Sequence, residues 1–500
     1  MSEPGKKNRK RIIETAKSGL LVVLLLSTIL LLYIFWENIS PGDVSISDIG
    51  FQDETEYEPI DARDVVIPDR IEISYGDGNY GIITDGTGRF WYDSGNADGA
   101  LFIYALQEFA SAENVFLEEI TKEQYDQVMA FESMKFVFDY YIPFAEFCDA
   151  YDVSRVQGID KIDSMTEISY SFGSMESVFL YDAATGKFYR MVGSGEDLEQ
   201  GGFAGLYGDI AFVADIAYPL NLVVGDVTTN DTPVPLPAVF KYSEATYKNE
   251  KLVGGPEFGE ELAKTFFGDS FDFIRTIADA SGNMTYMYGY GQRIFIASNE
   301  GVYTYKTDEA GTEDTGYFEA LNNALAFVAI HGGLLNSDGE AFKICLSDVA
   351  IKQNKIKDYE FKFDICKDRH VIYEDGKPLL VQVKGGVVTY FERDFFAMAD
   401  QDDQQIETGE STAANVLAKN LDYMYDVLLK GGFLEEQPEI FAAVSESLKD
   451  IRFGAVRFSK NDDGGGKIET CWCFTFAAGQ KEAEMYFDVN DAEPIGYTMR

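Results

Sequence analysis

The sequence predicts an α+β protein: an N-terminal transmembrane helix followed by a multi-domain ectodomain of helices packed on twisted antiparallel sheets. Three observations predict it. An uncharged apolar run occupies residues 18–36, short alternating segments with Gly- and Asp-rich turns recur from residue 68 onward, and apolar stripes at three- and four-residue spacing interrupt them. A chain of 500 residues exceeds a single core, and 46% hydrophobic with 14% aromatic residues is ample for several.

The run Ser18–Trp36 carries no charge. As a helix it extends roughly 28 Å, close to the ~30 Å of bilayer hydrocarbon. A helix also satisfies its own backbone groups in lipid. Lys6, Lys7, Arg9, Lys10, Arg11 and Lys17 precede it against Glu3 and Glu14, and no basic residue follows until Arg63. The positive-inside rule therefore makes residues 1–17 a cytoplasmic basic tail and puts the bulk of the chain outside the cell membrane. The rival reading is a cleaved secretory signal. Against it, the run exceeds the usual signal core and ends in Phe35-Trp36-Glu37, not in a small-x-small cleavage site. Gly19, Ser27 and Thr28 are the positions suited to close helix–helix contact, though the same composition also fits a lipid-facing surface.

Charge excludes one class of partner. With 85 acidic and 41 basic residues the net charge is −44, and the basic tail lies before the span. Such a surface repels phosphate backbones, so no nucleic acid is expected as a partner. It can attract cationic peptides or divalent ions, or simply stay solvated. The five cysteines (Cys148, Cys345, Cys366, Cys471 and Cys473) are too few and too scattered for a disulfide framework. On a strand Cys471 and Cys473 share one face, opposite Trp472, Phe474 and Phe476, and they read as buried thiols packing as small apolar groups. One bridge, Cys345 to Cys366, stays open.

Taken in order, residues 37–66 read as an acidic stalk and 67–237 as a first α+β ectodomain. Ile71, Ile73 and Tyr75 alternate with polar residues before the turn Gly76-Asp77-Gly78-Asn79, a hairpin. Helices are expected near 101–111 and from Thr121, where Thr121 and Gln124 have capping-box spacing. Strands follow at 134–142, 166–170, 177–181 and 187–191. The PVPLP segment, 233–237, reads as a polyproline linker. A small middle domain, 238–308, has a helix at 258–267 and strands at 271–277, 284–288, 293–297 and 302–305.

The C-terminal α+β region is 315–500. Phe318, Leu321, Ala324, Leu325 and Val328 form a helical stripe ending at Gly332-Gly333, and strands follow at 341–346, 359–365, 379–384 and 387–393. DQDDQQIETGE, 400–410, reads as a charged linker. The scheme then recurs, with helices at 413–430 and 438–448 and strands at 453–459, 467–476 and 482–488. Residues 315–395 and 411–500 thus read as two similar units, by duplication or by independent assembly of the same order.

No pattern of catalysis or metal binding stands out: there is no P-loop, GxSxG, HExxH or paired CxxC. No catalytic, cofactor-binding or metal residue is assigned, and no cofactor or enzymatic activity is expected. Of the two histidines, His331 ends a helix, where it is placed to interact with the last carbonyls, and His370 follows a strand. The acidic turns at 462–464 and 488–491 lack the ligand spacing of a calcium loop.

The segments IPDRIEISYGDGNYGII, SMKFVFDYYIPF, ELAKTFFGDSFDFIRTI, YMYGYGQRIFIASNEGVYTY and FEALNNALAFVAIHGG, with the later YEFKFDI and LLVQVKGGVVTYFER, resemble the YycH-type proteins. The last three are also similar to the related YycI proteins. The chain is more acidic than that family, and its C-terminal unit departs most. The resemblance implies a non-enzymatic accessory protein of a Gram-positive cell-wall two-component system. Its implied partners are a sensor histidine kinase, a second YycI-like accessory protein and the membrane, reached through the span and the ectodomain. The alternative is an anchored binding module for a cell-wall component or a cationic peptide.

Overall fold

A computed structural model describes residues 59–83, 101–112, 114–172, 177–193, 214–225, 232–236, 239–336, 341–352, 354–367, 370–374, 378–407, 412–457, 465–479 and 481–499, together with 207, 208, 210, 211 and 339. The span 18–36, its contact positions Gly19, Ser27 and Thr28, the basic tail and most of the stalk lie outside the described residues. Tyr57–Arg500 forms one compact unit. No helix among the described residues is long and apolar enough to cross a membrane.

Nine of the described strands form a first sheet: β1 (Arg70–Gly76), β2 (Asn79–Ile83), β3 (Phe116–Ile120), β4 (Glu132–Ile142), β5 (Met165–Ser171), β6 (Ser177–Asp182), β7 (Lys187–Val192), β8 (Asp215–Pro219) and β9 (Pro233–Pro235), in the order β3-β7-β6-β5-β4-β1-β2-β8-β9. Alternation dictates its two faces. Ile71, Ile73, Met134, Phe136 and Ile168 point to one side, under the helix α2 (Leu101–Ser111), whose Phe102 ring lies 4.2 Å from that of Phe136. Glu72, Lys135 and Ser169 point to the other. The helix α3 (Lys122–Met129) starts with the expected box: Thr121 Oγ1 accepts from Gln124 N at 3.2 Å, and Gln124 Oε1 accepts from Thr121 N at 2.9 Å.

PVPLP is not a linker. Val234 and Pro235 pair with Tyr218 and Ala217, so β9 closes the edge of the sheet, the one place where proline's missing N–H costs no ladder bond. The stalk likewise ends earlier than 66. The turn α1 (Ala62–Val65) buries Val65 and Val66, and the Tyr151 and Tyr140 hydroxyls hold the Val66 and Ile67 carbonyls at 3.0 and 2.9 Å.

The second sheet has fifteen strands among the described residues. They are β10 (Val239–Asn249), β11 (Arg275–Ala278), β12 (Met284–Tyr288), β13 (Arg293–Ala297), β14 (Tyr303–Thr307), β15 (Lys343–Lys352), β16 (Asp358–Lys367), β17 (His370–Glu374), β18 (Leu379–Lys384), β19 (Val387–Arg393), β20 (Phe396–Glu407), β21 (Leu448–Arg457), β22 (Gly465–Ala478), β23 (Lys481–Asp488) and β24 (Pro494–Met499). Its main path is β11-β12-β13-β14-β19-β18-β16-β17-β21-β22-β10-β20. The strands of 238–308 therefore share a sheet with those of 315–500, because β14 pairs with β19 and β10 pairs with both β20 and β22. Asp400–Glu407, expected in a charged linker, instead lies on β20 along β10. A cross-strand ladder stabilises a segment whose own composition gives no strand signal.

Three longer helices cover this sheet. The helix α6 (Glu250–Phe267) extends eight residues earlier than its apolar stripe, and its Phe266 stacks on Phe295 at 4.6 Å and on Tyr305 at 4.9 Å. The helix α7 (Tyr317–Ile330) lies on β16, β18 and β19 and buries the predicted stripe. The helix α8 (Ala413–Lys430) matches its expected bounds, and with α9 (Ile440–Ser447) it covers Trp472, Phe474 and Phe476. Cys471 and Cys473 sit on the opposite face with Val456, Tyr373 and Tyr486, as the two-residue period requires. Gly454 permits this: a Cβ there would come within 2.5 Å of the Tyr373 ring.

Candidate functional site

The groups that depart most from ordinary solvated chemistry lie where β21 meets the first sheet. Arg70 and Glu72 are two apart on β1, so their side chains share a face, and Lys135 stands opposite Glu72 on β4. On β21, Asp450 and Arg452 share the same spacing. Arg70 Nε binds Glu72 Oε1 at 2.8 Å, and its Nη1 lies 3.5 Å from Asp139 and 3.7 Å from Asp450. Arg452 binds Asp450 through Nε at 2.7 Å and donates to Asp139 through Nη2. Lys135 Nζ is 3.6 Å from Glu72.

Asp69 completes the group, accepting from the Asp139 backbone N–H at 2.6 Å. Burial and the Asp139 carboxylate beside it push Asp69 up, whereas Arg452 and Arg70 hold Asp139 well below the carboxylate range despite its burial. Four acids face three bases, and the one carboxyl that tends to keep its proton brings the set near neutrality. Burial alone lowers an arginine, yet Asp450, Glu72 and Asp139 outweigh it and raise Arg70.

A second charged clasp joins β21 to β17 and to Asp394, just beyond β19. Arg457 Nη2 donates to Glu374 and, at 2.7 Å, to Asp394, while the guanidinium lies over the Phe396 and Tyr247 rings at 4.4 and 5.1 Å. Here one cation serves two acids. Burial pushes Glu374 up to about 7, against the pull of Arg457.

A third joint is apolar. Phe318 at the start of α7 meets Tyr151 edge-on at 6.2 Å, just beyond the helix α4 (Phe144–Ala150). Glu146 of α4 accepts from Phe318 N at 3.3 Å and so caps α7, which lacks a capping side chain of its own. A cleft of about 610 Å³ opens beside this joint, between Ile60–Arg63, Glu146, Phe318 and Asn322.

These arrangements suit mechanical coupling between parts of the fold. In the first clasp the charges nearly balance, with the buried Cys473 opposite Arg452, whereas in the second Arg457 is shared by Glu374 and Asp394. Among the described residues no group of three or more His, Cys, Asp or Glu is placed to hold a metal ion. The acidic turn at 488–491 is closed by its own backbone, with Asp488 Oδ1 accepting from Asn490 N at 2.6 Å. His331 does end α7, but its ring does not bond the helix carbonyls. It stacks on Phe266 and meets Phe327 at a tilt, each 4.1 Å away, with Nδ1 3.0 Å from Thr265 Oγ1, and burial lowers its pKa to about 3.

Sequence pattern alone did not single out Arg70, Glu72, Asp450 and Arg452. Their signal was opposite charges two apart on a strand, which is equally what a solvated face shows.

No protein-family model matches the chain, and neither does any curated protein sequence. Two solved structures do. The C-terminal domain of YpeB from Bacillus megaterium is 12% identical, with 49% of this chain and 97% of that chain covered at a TM-score of 0.25. YycH from Bacillus subtilis is 11% identical, with 84% of this chain and 96% of that chain covered at a TM-score of 0.49. The chain is thus similar to the protein whose family its segments resemble, at an identity that concerns fold and not activity.

Proposed function

We propose that this chain is a membrane-anchored, extracytoplasmic accessory protein that regulates a sensor histidine kinase of a cell-wall two-component system through its transmembrane helix and its folded exterior. The observation that carries the reading is a basic-flanked apolar span, 18–36, ahead of a single folded unit that begins at Tyr57. The family resemblance of the quoted segments supplies the class of partner. A single helix packs laterally against other helices through small or hydroxylated positions, here Gly19, Ser27 and Thr28. An exterior that favours one arrangement of the complex shifts the kinase by its difference in affinity for the two states.

The test replaces residues 18–36 with an unrelated apolar helix of equal length. Loss of co-purification with the kinase and a changed output of its response regulator are expected. Unchanged binding and output would remove the helix from the mechanism. The acidic exterior favours a second reading, capture of a cationic peptide or wall component. That reading requires binding that weakens steeply with added salt and survives the helix replacement.

A further inference from the structure

We propose that Cys345 and Cys366 are a cross-strand disulfide site, closed by exchange with a disulfide donor, that fastens β15 to the sheet. The place of the donor, outside the membrane, rests on the location proposed above; the capacity of the pair does not.

The register brings them together. Lys343 faces Cys366 and Cys345 faces Asp364, so the two cysteines are diagonal neighbours on one face of an antiparallel pair. Their sulfurs lie 2.7 Å apart. The other three cysteines are elsewhere: Cys148 is buried on α4, and Cys471 and Cys473 are buried side by side on β22.

The two thiols are unequal, and that sets the order of steps. Cys345 is 7% exposed, and its contact with Cys366 together with burial raises its pKa well above the ordinary value. Cys366 is half-buried, the more exposed of the two. The Cys366 thiolate attacks the donor disulfide and expels one thiolate, leaving a mixed disulfide. Cys345, losing its proton, then attacks Cys366 Sγ and expels the second. Two protein thiols become one disulfide, and the donor disulfide becomes two thiols, so protons and electrons balance. In the reverse direction an incoming thiolate reaches Cys366 and must expel Cys345 into a buried site that disfavours its charge. The same burial also limits the Cys345 thiolate in the closing step, so exchange is slow in both directions.

Its position gives it a use. Among the described strands β15 pairs only with β16, and it also packs against β4 and α1. A covalent tie resists peeling of this edge strand where the two sheets meet.

The experiment exposes reduced, full-length protein in detergent to oxidised glutathione, then denatures and alkylates it. Three alkylated cysteines and a peptide pair joining Cys345 to Cys366 are expected, rising to five alkylated cysteines after reductant. Five alkylated cysteines without reductant, or a bridge to any other cysteine, would overturn the site. Cys345→Ser should retain glutathione on Cys366, whereas Cys366→Ser should leave Cys345 unmodified in the folded protein; the opposite pattern would overturn the order of steps. Protein alkylated in intact cells reports the location separately. A bridge there supports an exterior site, and free thiols there in a protein that glutathione does close would sink the location while the site stands.

Discussion

In residues 315–395 the helix α7 is followed by the antiparallel meander β15-β16-β18-β19, and in 411–500 the helices α8 and α9 are followed by β21-β22-β23-β24. Their attachments differ. The first has its apolar face in the core that also holds α2, α4 and the first sheet, with Phe318, Leu321, Phe361 and Phe363 enclosed there. The second has a core of its own around Trp472, Phe474 and Met485, joined there among the described residues by Leu220, Val223, Val224 and Val234 from the first region. It meets the first sheet through Arg452 and Asp450 as well as through apolar Val234, and the other meander through the parallel β17–β21 ladder with Arg457 beside it. An apolar joint depends on area removed from water and is indifferent to salt, whereas a charged joint responds to salt and pH and fails sharply when one partner is removed. The charged joint is therefore the one that salt and pH adjust.

The largest test of that contrast is a pair of core truncations. Trp472→Ala and Phe361→Ala should each cost about 3–5 kcal/mol in urea unfolding. Hydrogen exchange should confine the first loss to 411–500 and spread the second into β1, β4 and α2. Equal spread from both would erase the distinction.

Next is Arg457→Met, which strands Glu374 and Asp394 in a buried site and should cost about 3–5 kcal/mol by the same measurement. Adding Glu374→Gln and Asp394→Asn should recover much of it, since the unpaired charge and not the missing packing is the cause. No recovery would show that the stacking of Arg457 on Phe396 and Tyr247 dominates.

The smallest expected effect reaches the apolar side. His331 titrates near 3 in the folded chain and near 6.5 when unfolded. Its folded value is the lower one, so its contribution is complete above 6.5 and is lost as pH falls toward 3. The slope approaches 1.4 kcal/mol per pH unit, with roughly 2 kcal/mol gone at pH 5. His331→Phe should flatten the acid limb of the Tm profile; the Thr265 hydroxyl keeps its bond to the Leu262 carbonyl at 2.8 Å. An unchanged limb would move acid sensitivity to the charged clasps.

The elements that sequence located best are those whose signal is local. The Thr121 box, the bounds of α8, the α7 stripe and the two faces of CWCFTF follow from side-chain period and capping chemistry within a few residues. The turn Gly385-Gly386, with φ of 57° and 78°, was marked by residues that alone tolerate it cheaply. The missed or shifted elements depend on distant partners. Besides β9 and β20, β24 needs β23, and the segment read as a strand at 271–277 begins as a 3₁₀ turn, leaving only Arg275–Ala278 to pair with β12.

By itself, then, the sequence determined the α+β class, the positions of most helices and strands, the uncharged span 18–36 and the acidic character of the chain beyond that span. Tertiary structure alone decided that 238–308 and 315–500 share one sheet, and that Arg70, Asp139, Asp450 and Arg452 form a joint. Periodicity fixes which face a residue occupies, but a charged face turned to water and one turned to a complementary charged face carry the same pattern. Only the packing of segments hundreds of residues apart removes the water and tells them apart.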